Sequence, residues 1–210
     1  MKNKHIVALK FVVFPLCLVP LALLAWKGFH QDLGANPIEV ITHSTGDWTI
    51  IFLLITLAIT PVRRLTRQNW LIRFRRMTGL YAFFYGILHF TTWLWLDKFF
   101  DLHEMWADIV KRRFITVGML GLTLMIPLAV TSTQWAIRKL GKKWASLHKL
   151  VYASAICGVI HYWWLVKADI SKPLRYAVIL GVLLGWRIVT WAMKKTRAAQ
   201  AAAPLAQSAE

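Results

Sequence analysis

Apolar runs about as long as a bilayer is thick recur six times along this chain, near residues 8–26, 46–62, 77–97, 115–133, 147–166 and 173–192. A helix rising about 1.5 Å per residue needs about 20 such residues to cross a hydrocarbon core of about 30 Å. The pattern therefore predicts an all-α, polytopic membrane helical bundle of about six transmembrane helices. Pro61 closes the second run and Pro173 opens the sixth, positions that suit a residue with no N–H to donate. The first run follows Lys2, Lys4 and Lys10 as a signal peptide would, but no small-residue cleavage site follows it and Pro15 and Pro20 interrupt it. It reads as a retained first span. No internal repeat is visible, and the Ala- and Gln-rich segment 198–210 reads as a disordered cytoplasmic tail behind a transmembrane domain of residues 1–197.

Charge changes the picture only through its placement. The chain carries 26 Lys and Arg against 9 Asp and Glu, a net charge of +17 that in a soluble protein would suggest nucleic acid. Here the basic residues fall into the connections between runs. Lys2, Lys4 and Lys10, the loop 63–76, the stretch 138–149 and the 194–197 end lie on one side, while every acidic residue except Glu210 lies on the other. The excess of Lys and Arg on one side predicts an inner-membrane protein with both termini cytoplasmic, and no nucleic-acid partner. Trp93, Trp95, Trp163 and Trp164 then fall at the outer interface.

Ionisable side chains inside a bilayer are costly and mark candidate functional sites. His89 lies in the third run, and His148 and His161 at the edge and in the body of the fifth. A lone membrane histidine is as well explained by helix-to-helix hydrogen bonding. Three on two runs point instead to axial ligation of a low-spin heme. Gly86 precedes His89 by three and Gly158 precedes His161 by three, which sets each histidine beside a notch on its helix face; helix packing alone is the other reading of such small residues. Depth separates the histidines. His89 follows Arg76 by 13 residues and His161 follows Lys149 by 12, so both rise about 18 to 20 Å from the inner face, whereas His148 sits near that face. This pairs His89 with His161 and leaves His148 to a second, inner cofactor or its entry path. If Lys149 snorkels, His148 becomes an alternative partner. His5, His30 and His43 read as solvated or loop residues, and His103 as a weaker second ligand in a charged segment. Cys17 and Cys157 form neither a CxxC motif nor a disulfide framework.

Three linked stretches resemble the MsrQ (YedZ) family, the heme-binding membrane subunits of the periplasmic methionine-sulfoxide reductase system within the ferric-reductase-like transmembrane superfamily. They are Arg75-Arg76-Met77-Thr78-Gly79-Leu80 leading to Leu88-His89-Phe90; Thr131-Ser132-Thr133; and Leu140-Gly141-Lys142-Lys143-Trp144 with Leu147-His148-Lys149-Leu150-Val151-Tyr152 and His161-Tyr162. The resemblance covers the chain except its tail. It implies heme b, flavin mononucleotide (FMN), a soluble periplasmic molybdopterin-containing reductase subunit as partner, and His89, His148 and His161 as the heme-associated histidines.

The expected function is that of a transmembrane electron-transfer subunit, taking electrons from the quinol pool or a cytoplasmic flavin reductase and delivering them outward for methionine repair. A GxGxxG fingerprint and a P-loop are both missing, which argues against nicotinamide binding by this chain. A self-contained ferric or oxygen reductase is the alternative, and a transporter the third reading, although no acid lies in the middle of a span. On the inner face, Arg76 and Lys143 set topology or neutralise cofactor anions. On the outer face, the segment 97–113 is expected to contribute to partner docking through its charges.

Overall fold

The computed structural model describes residues 3–207, and among these every regular element is helical. Helices α1 (Asn3–Leu16) and α2 (Val19–Phe29) form a bent rod, because Pro15 and Pro20 interrupt the backbone ladder around Cys17 and Leu18. Helix α3 (Pro37–Thr66) starts where the Asn36 side chain accepts the Glu39 N–H with Pro37 behind it, and stops at Arg67 in the left-handed region at φ 57°. After a 3₁₀ turn at Asn69–Phe74, α4 (Arg75–Thr91) returns and runs into a π-helical turn at Thr92–Asp97. A short helix α5 (Leu102–Lys111) leads into α6 (Arg113–Val130). Two short helices, α7 (Gln134–Leu140) and α8 (Lys142–Leu147), then precede α9 (Leu150–Leu165) and the long α10 (Ser171–Gln207).

Six of these segments occupy the six apolar runs. Four are long and apolar enough to cross a membrane: Lys4–Phe29, Pro37–Thr66, Arg113–Val130 and Ser171–Arg197. The two histidine-bearing helices are shorter, α4 at 17 residues before its π turn and α9 at 16. Helix α4 packs along α3, and α9 along α6. Helix α10 continues to Gln207, through much of the segment expected as a disordered tail; residues 208–210 of that tail lie outside the described residues.

The core is sealed by hydrogen bonds to carbonyls where the helices are bent or interrupted by proline. Tyr81 and Tyr85 of α4 donate to the carbonyls of Phe14 (2.8 Å) and Cys17 (2.9 Å) at the α1–α2 bend. Pro61 cannot donate to the Leu57 carbonyl one turn earlier, and Arg187 of α10 supplies the donor at 2.5 Å while its other amino group bonds the Leu183 carbonyl at 2.8 Å. The guanidinium also lies over the Tyr152 ring, 5.2 Å from its centre. This arginine inside the bundle thus repairs a backbone defect, consistent with the cost of leaving a carbonyl unsatisfied in lipid.

Candidate functional site

Two helix hairpins build the site, α3 with α4 and α6 with α9. In the first, His89 of α4 donates from Nδ1 to the Thr42 carbonyl at 2.9 Å. In the second, His161 of α9 donates from Nδ1 to the Phe114 carbonyl at 2.6 Å. Each histidine follows its acceptor by 47 residues. Each acceptor is followed four residues later by a glycine, Gly46 or Gly118, and each histidine is preceded three residues earlier by another, Gly86 or Gly158. The offset between equivalent positions is the same at all four places, 42 to 114, 46 to 118, 86 to 158 and 89 to 161. The hairpins are therefore an internal repeat, contrary to the expectation of none. It escapes a reading of the sequence because packing has diverged between the shared positions, with Tyr85 opposite Cys157 and Leu53 opposite Met125.

Gly46 and Gly118 are the residues that sequence reasoning missed. A Cβ on Gly46 would lie 3.1 Å from Cε1 and Nδ1 of His89, and one on Gly118 only 2.6 Å from Nδ1 of His161. Each imidazole is thus seated against the backbone of the facing helix, where only glycine fits. The readable signal is the shared Gly-to-His spacing in the two halves. Gly86 and Gly158 serve differently: a Cβ there would meet Leu122 and Thr49 at 3.3 and 3.5 Å, or Ile50 at 3.8 Å, so they shape the space between helices and touch neither histidine.

The two ring centres lie 6.0 Å apart with the planes at 79°. They stand in a cavity of about 520 Å³ whose inner part is lined by Ile50, Leu53, Leu122 and Met125, within the size range of cofactor sites. Since Nδ1 of each ring is engaged as a donor, the lone pair is left on Nε2, the arrangement of a neutral metal-binding imidazole. One metal ion with imidazole bonds of about 2 Å on opposite sides would leave the ring centres about 6 Å apart. Among the described residues no group of three or more His, Cys, Asp or Glu could hold a metal ion. Two opposed imidazoles therefore suit a metal that brings its remaining ligands with it, as heme iron does. Thr42 Oγ1 and Trp93 Nε1, both on cavity-lining residues, are buried without a hydrogen-bond partner, so polar capacity remains for an occupant. These residues fit a heme.

The other candidates are dispersed. His148 lies in the turn between α8 and α9, its ring stacked on Trp144 at 3.9 Å and its Nε2 3.1 Å from the Thr131 hydroxyl, outside the cavity. Arg76 is exposed on the first turn of α4, and His103 is exposed at the start of α5. His43, expected in a loop, is on α3 and lines the cavity, because α3 begins nine residues before the apolar run that marked it. His30 stays in the turn after α2, with its ring 2.9 Å from the Trp26 carbonyl. Asp47 also lines the cavity: Tyr176 donates to it at 3.3 Å and Lys172 approaches to 3.6 Å, so α10 is tied to the helix that carries Gly46.

At the cavity's polar end Lys98 is buried among Asp97 (3.7 Å), Glu104 (2.7 Å) and Asp108 (2.7 Å), and Arg112 meets Asp108 at 3.2 Å. Burial opposes the charge on Lys98, but its hydrogen bonds to Asp108 and Glu104 outweigh that and raise its pKa. Of the charges of 97–113 expected to meet a partner, Asp97, Lys98, Glu104, Asp108 and Arg112 are paired with one another.

Residues 45–159 match the family model described as ferric reductase like transmembrane component. Among curated relatives, the protein-methionine-sulfoxide reductase heme-binding subunit MsrQ of Herminiimonas arsenicoxydans is 53% identical over 190 residues, covering 89% of this chain and 87% of that protein. The proteins of the same name from Rhodospirillum rubrum and Bordetella pertussis are 51% and 50% identical, over 91% and 87% of this chain and 92% and 90% of their own lengths. With this identity over nearly its whole length, and with a membrane bundle built from paired histidine hairpins, the chain belongs to the MsrQ family of ferric-reductase-like transmembrane proteins.

Proposed function

We propose that this chain is the transmembrane electron-transfer subunit of a protein-methionine-sulfoxide reductase, holding heme b between His89 and His161 in the outer half of the inner membrane, with both termini cytoplasmic. The observation that carries this reading is the pair of imidazoles opposed across 6.0 Å in one cavity, each fixed in a single tautomer by a backbone carbonyl. Heme bound there supplies a one-electron iron couple. The Thr42 and Phe114 carbonyls stop the rings from turning and make Nε2 more basic. Gly46 and Gly118 give the rings their seats, and Ile50, Leu53, Leu122 and Met125 keep water from the apolar end. The names of the relatives, heme-binding subunits of a protein-methionine-sulfoxide reductase, support both the cofactor and the kind of partner.

Electrons come from the quinol pool or a cytoplasmic flavin reductase and pass to a periplasmic molybdopterin-containing subunit that repairs oxidised methionines. Residues 1–197 form the transmembrane domain and 198–210 its cytoplasmic tail. His148, near the inner face with Trp144 and Thr131, serves a second cofactor or its entry path. The family resemblance supports FMN, and the exposed Arg76 and Lys143 are placed on the cytoplasmic side for its phosphate or for heme propionates. The test is a reduced-minus-oxidised spectrum of the purified full chain from heme-sufficient cells. A low-spin b-type α-band is expected, reducible by a quinol in nanodiscs and reoxidised by the catalytic subunit with methionine sulfoxide. Absence of the band overturns the reading.

A further inference from the structure

Helix α5 connects the histidine-bearing α4 to α6, whose first turn supplies the carbonyl that fixes His161. Around its circumference it has three sectors. Asp108, with Met105 and Ile109 beside it, is turned toward the protein. Leu102, Trp106 and Val110, one turn apart, form an apolar edge that is 74%, 68% and 65% exposed. Glu104 and Lys111 form a polar exposed edge on the far side, and His103, seven residues before Val110, borders the apolar edge. The approach to the helix is apolar as well. Trp95 is exposed, and Phe99 and Phe100 hold left-handed backbone conformations at φ 47° and 62° with both rings exposed. Bulky residues adopt that conformation only at a cost.

We infer that α5 is an interfacial helix whose Leu102–Trp106–Val110 edge inserts into the outer leaflet of the bilayer. Three observations choose lipid as the occupant. The helix is bounded by two membrane helices, with Asp97 closing the segment of α4 and Arg113 opening α6, so it lies at the level of the headgroups. The residues between α4 and α5 add further exposed apolar rings, Trp95, Phe99 and Phe100, next to that edge in the chain. The C-terminal end of α5 carries exposed Lys111 and Arg113, side chains long enough to reach lipid phosphates while their stems stay in the apolar layer. The polar sector meanwhile holds Glu104 in the Lys98 cluster, so the helix is clamped to the protein on one side and to the leaflet on the other. The seat of α5 in turn sets Arg112, Phe114 and Ile115, which line the histidine cavity. None of this depends on which cofactor the cavity holds.

The experiment uses the full chain with both cysteines changed to alanine, reconstituted in phosphatidylcholine–phosphatidylglycerol vesicles. Nitroxide labels are placed through Trp106→Cys and Val110→Cys on the apolar edge and through Lys111→Cys on the polar edge. The two apolar-edge labels should relax faster with oxygen than with a water-soluble nickel chelate, and the polar-edge label should show the reverse. Nickel access at positions 106 and 110 equal to that at 111 overturns the proposal. Shelter that develops only when the soluble catalytic subunit is added would also overturn it, making the edge a protein-docking surface.

Discussion

The imidazole of His161 lies so close to Gly118 that a Cβ on that glycine would sit 2.6 Å from Nδ1, and Gly46 stands in the same relation to His89 at 3.1 Å. The histidines are positioned by the absence of a side chain opposite each of them. Gly118→Ala must therefore push His161 off the Phe114 carbonyl, whereas Gly46→Ala asks for a shift of a few tenths of an ångström. Overpacking of this kind costs about 1–3 kcal/mol. Heme content per protein should fall strongly in Gly118→Ala and less in Gly46→Ala, while Gly181→Ala, whose added Cβ meets nothing within 4 Å, should leave it unchanged. Equal heme content in all three would remove the glycine seats from the account.

Arg187 and Pro61 are coupled through the Leu57 carbonyl. Arg187→Met leaves that buried acceptor without a donor, at a cost of about 1–3 kcal/mol. In a Pro61→Ala background the restored N–H can take the carbonyl, and the same Arg187→Met change should cost less. Unfolding in detergent for the four proteins of this double-mutant cycle measures the coupling. Strict additivity would show that the arginine acts elsewhere.

Much of this was legible before the fold. The apolar runs mark the helices, and residue counts from the inner-face charges place His89 and His161 at one level, where their rings do meet. Helix α3 starts before its apolar run because the polar stretch from His43 to Asp47 continues a helix already begun by the Asn36 cap, Pro37 and Glu39. Gly46 and Gly118 could not be assigned from local pattern, since their role depends on a ring from another helix. The internal repeat is equally tertiary, being carried by four positions in each half and by backbone carbonyls that any residue could supply. The burial of Lys98 among three carboxylates also needed the fold, because its spacing to Glu104 and Asp108 crosses the turn before α5.

Asp101 caps α5, its carboxylate accepting from the N–H groups of His103 and Glu104 at 2.9 and 3.0 Å. The Glu104 N–H, then that of His103, holds the carboxyl below the ordinary aspartate range. A depressed folded-state pKa means that the stabilisation is complete above the unfolded value and is lost as pH falls through the folded one. Helix α5 should therefore fray in acid, seen as faster amide exchange over 105–111. Asp101→Asn should keep the cap and blunt that pH dependence; an unchanged acid response would assign it to another group.

The central claim is that His89 and His161 share one heme. It is tested most directly by optical and low-temperature EPR spectra, with heme content, of His89→Ala, His161→Ala and His148→Ala in the full-length protein. The account predicts that each of the first two abolishes the same low-spin signal, and that His148→Ala leaves that signal in place. If His148→Ala removes it while His161→Ala spares it, the pairing of His89 with His161 is wrong and the ligand lies at the inner face.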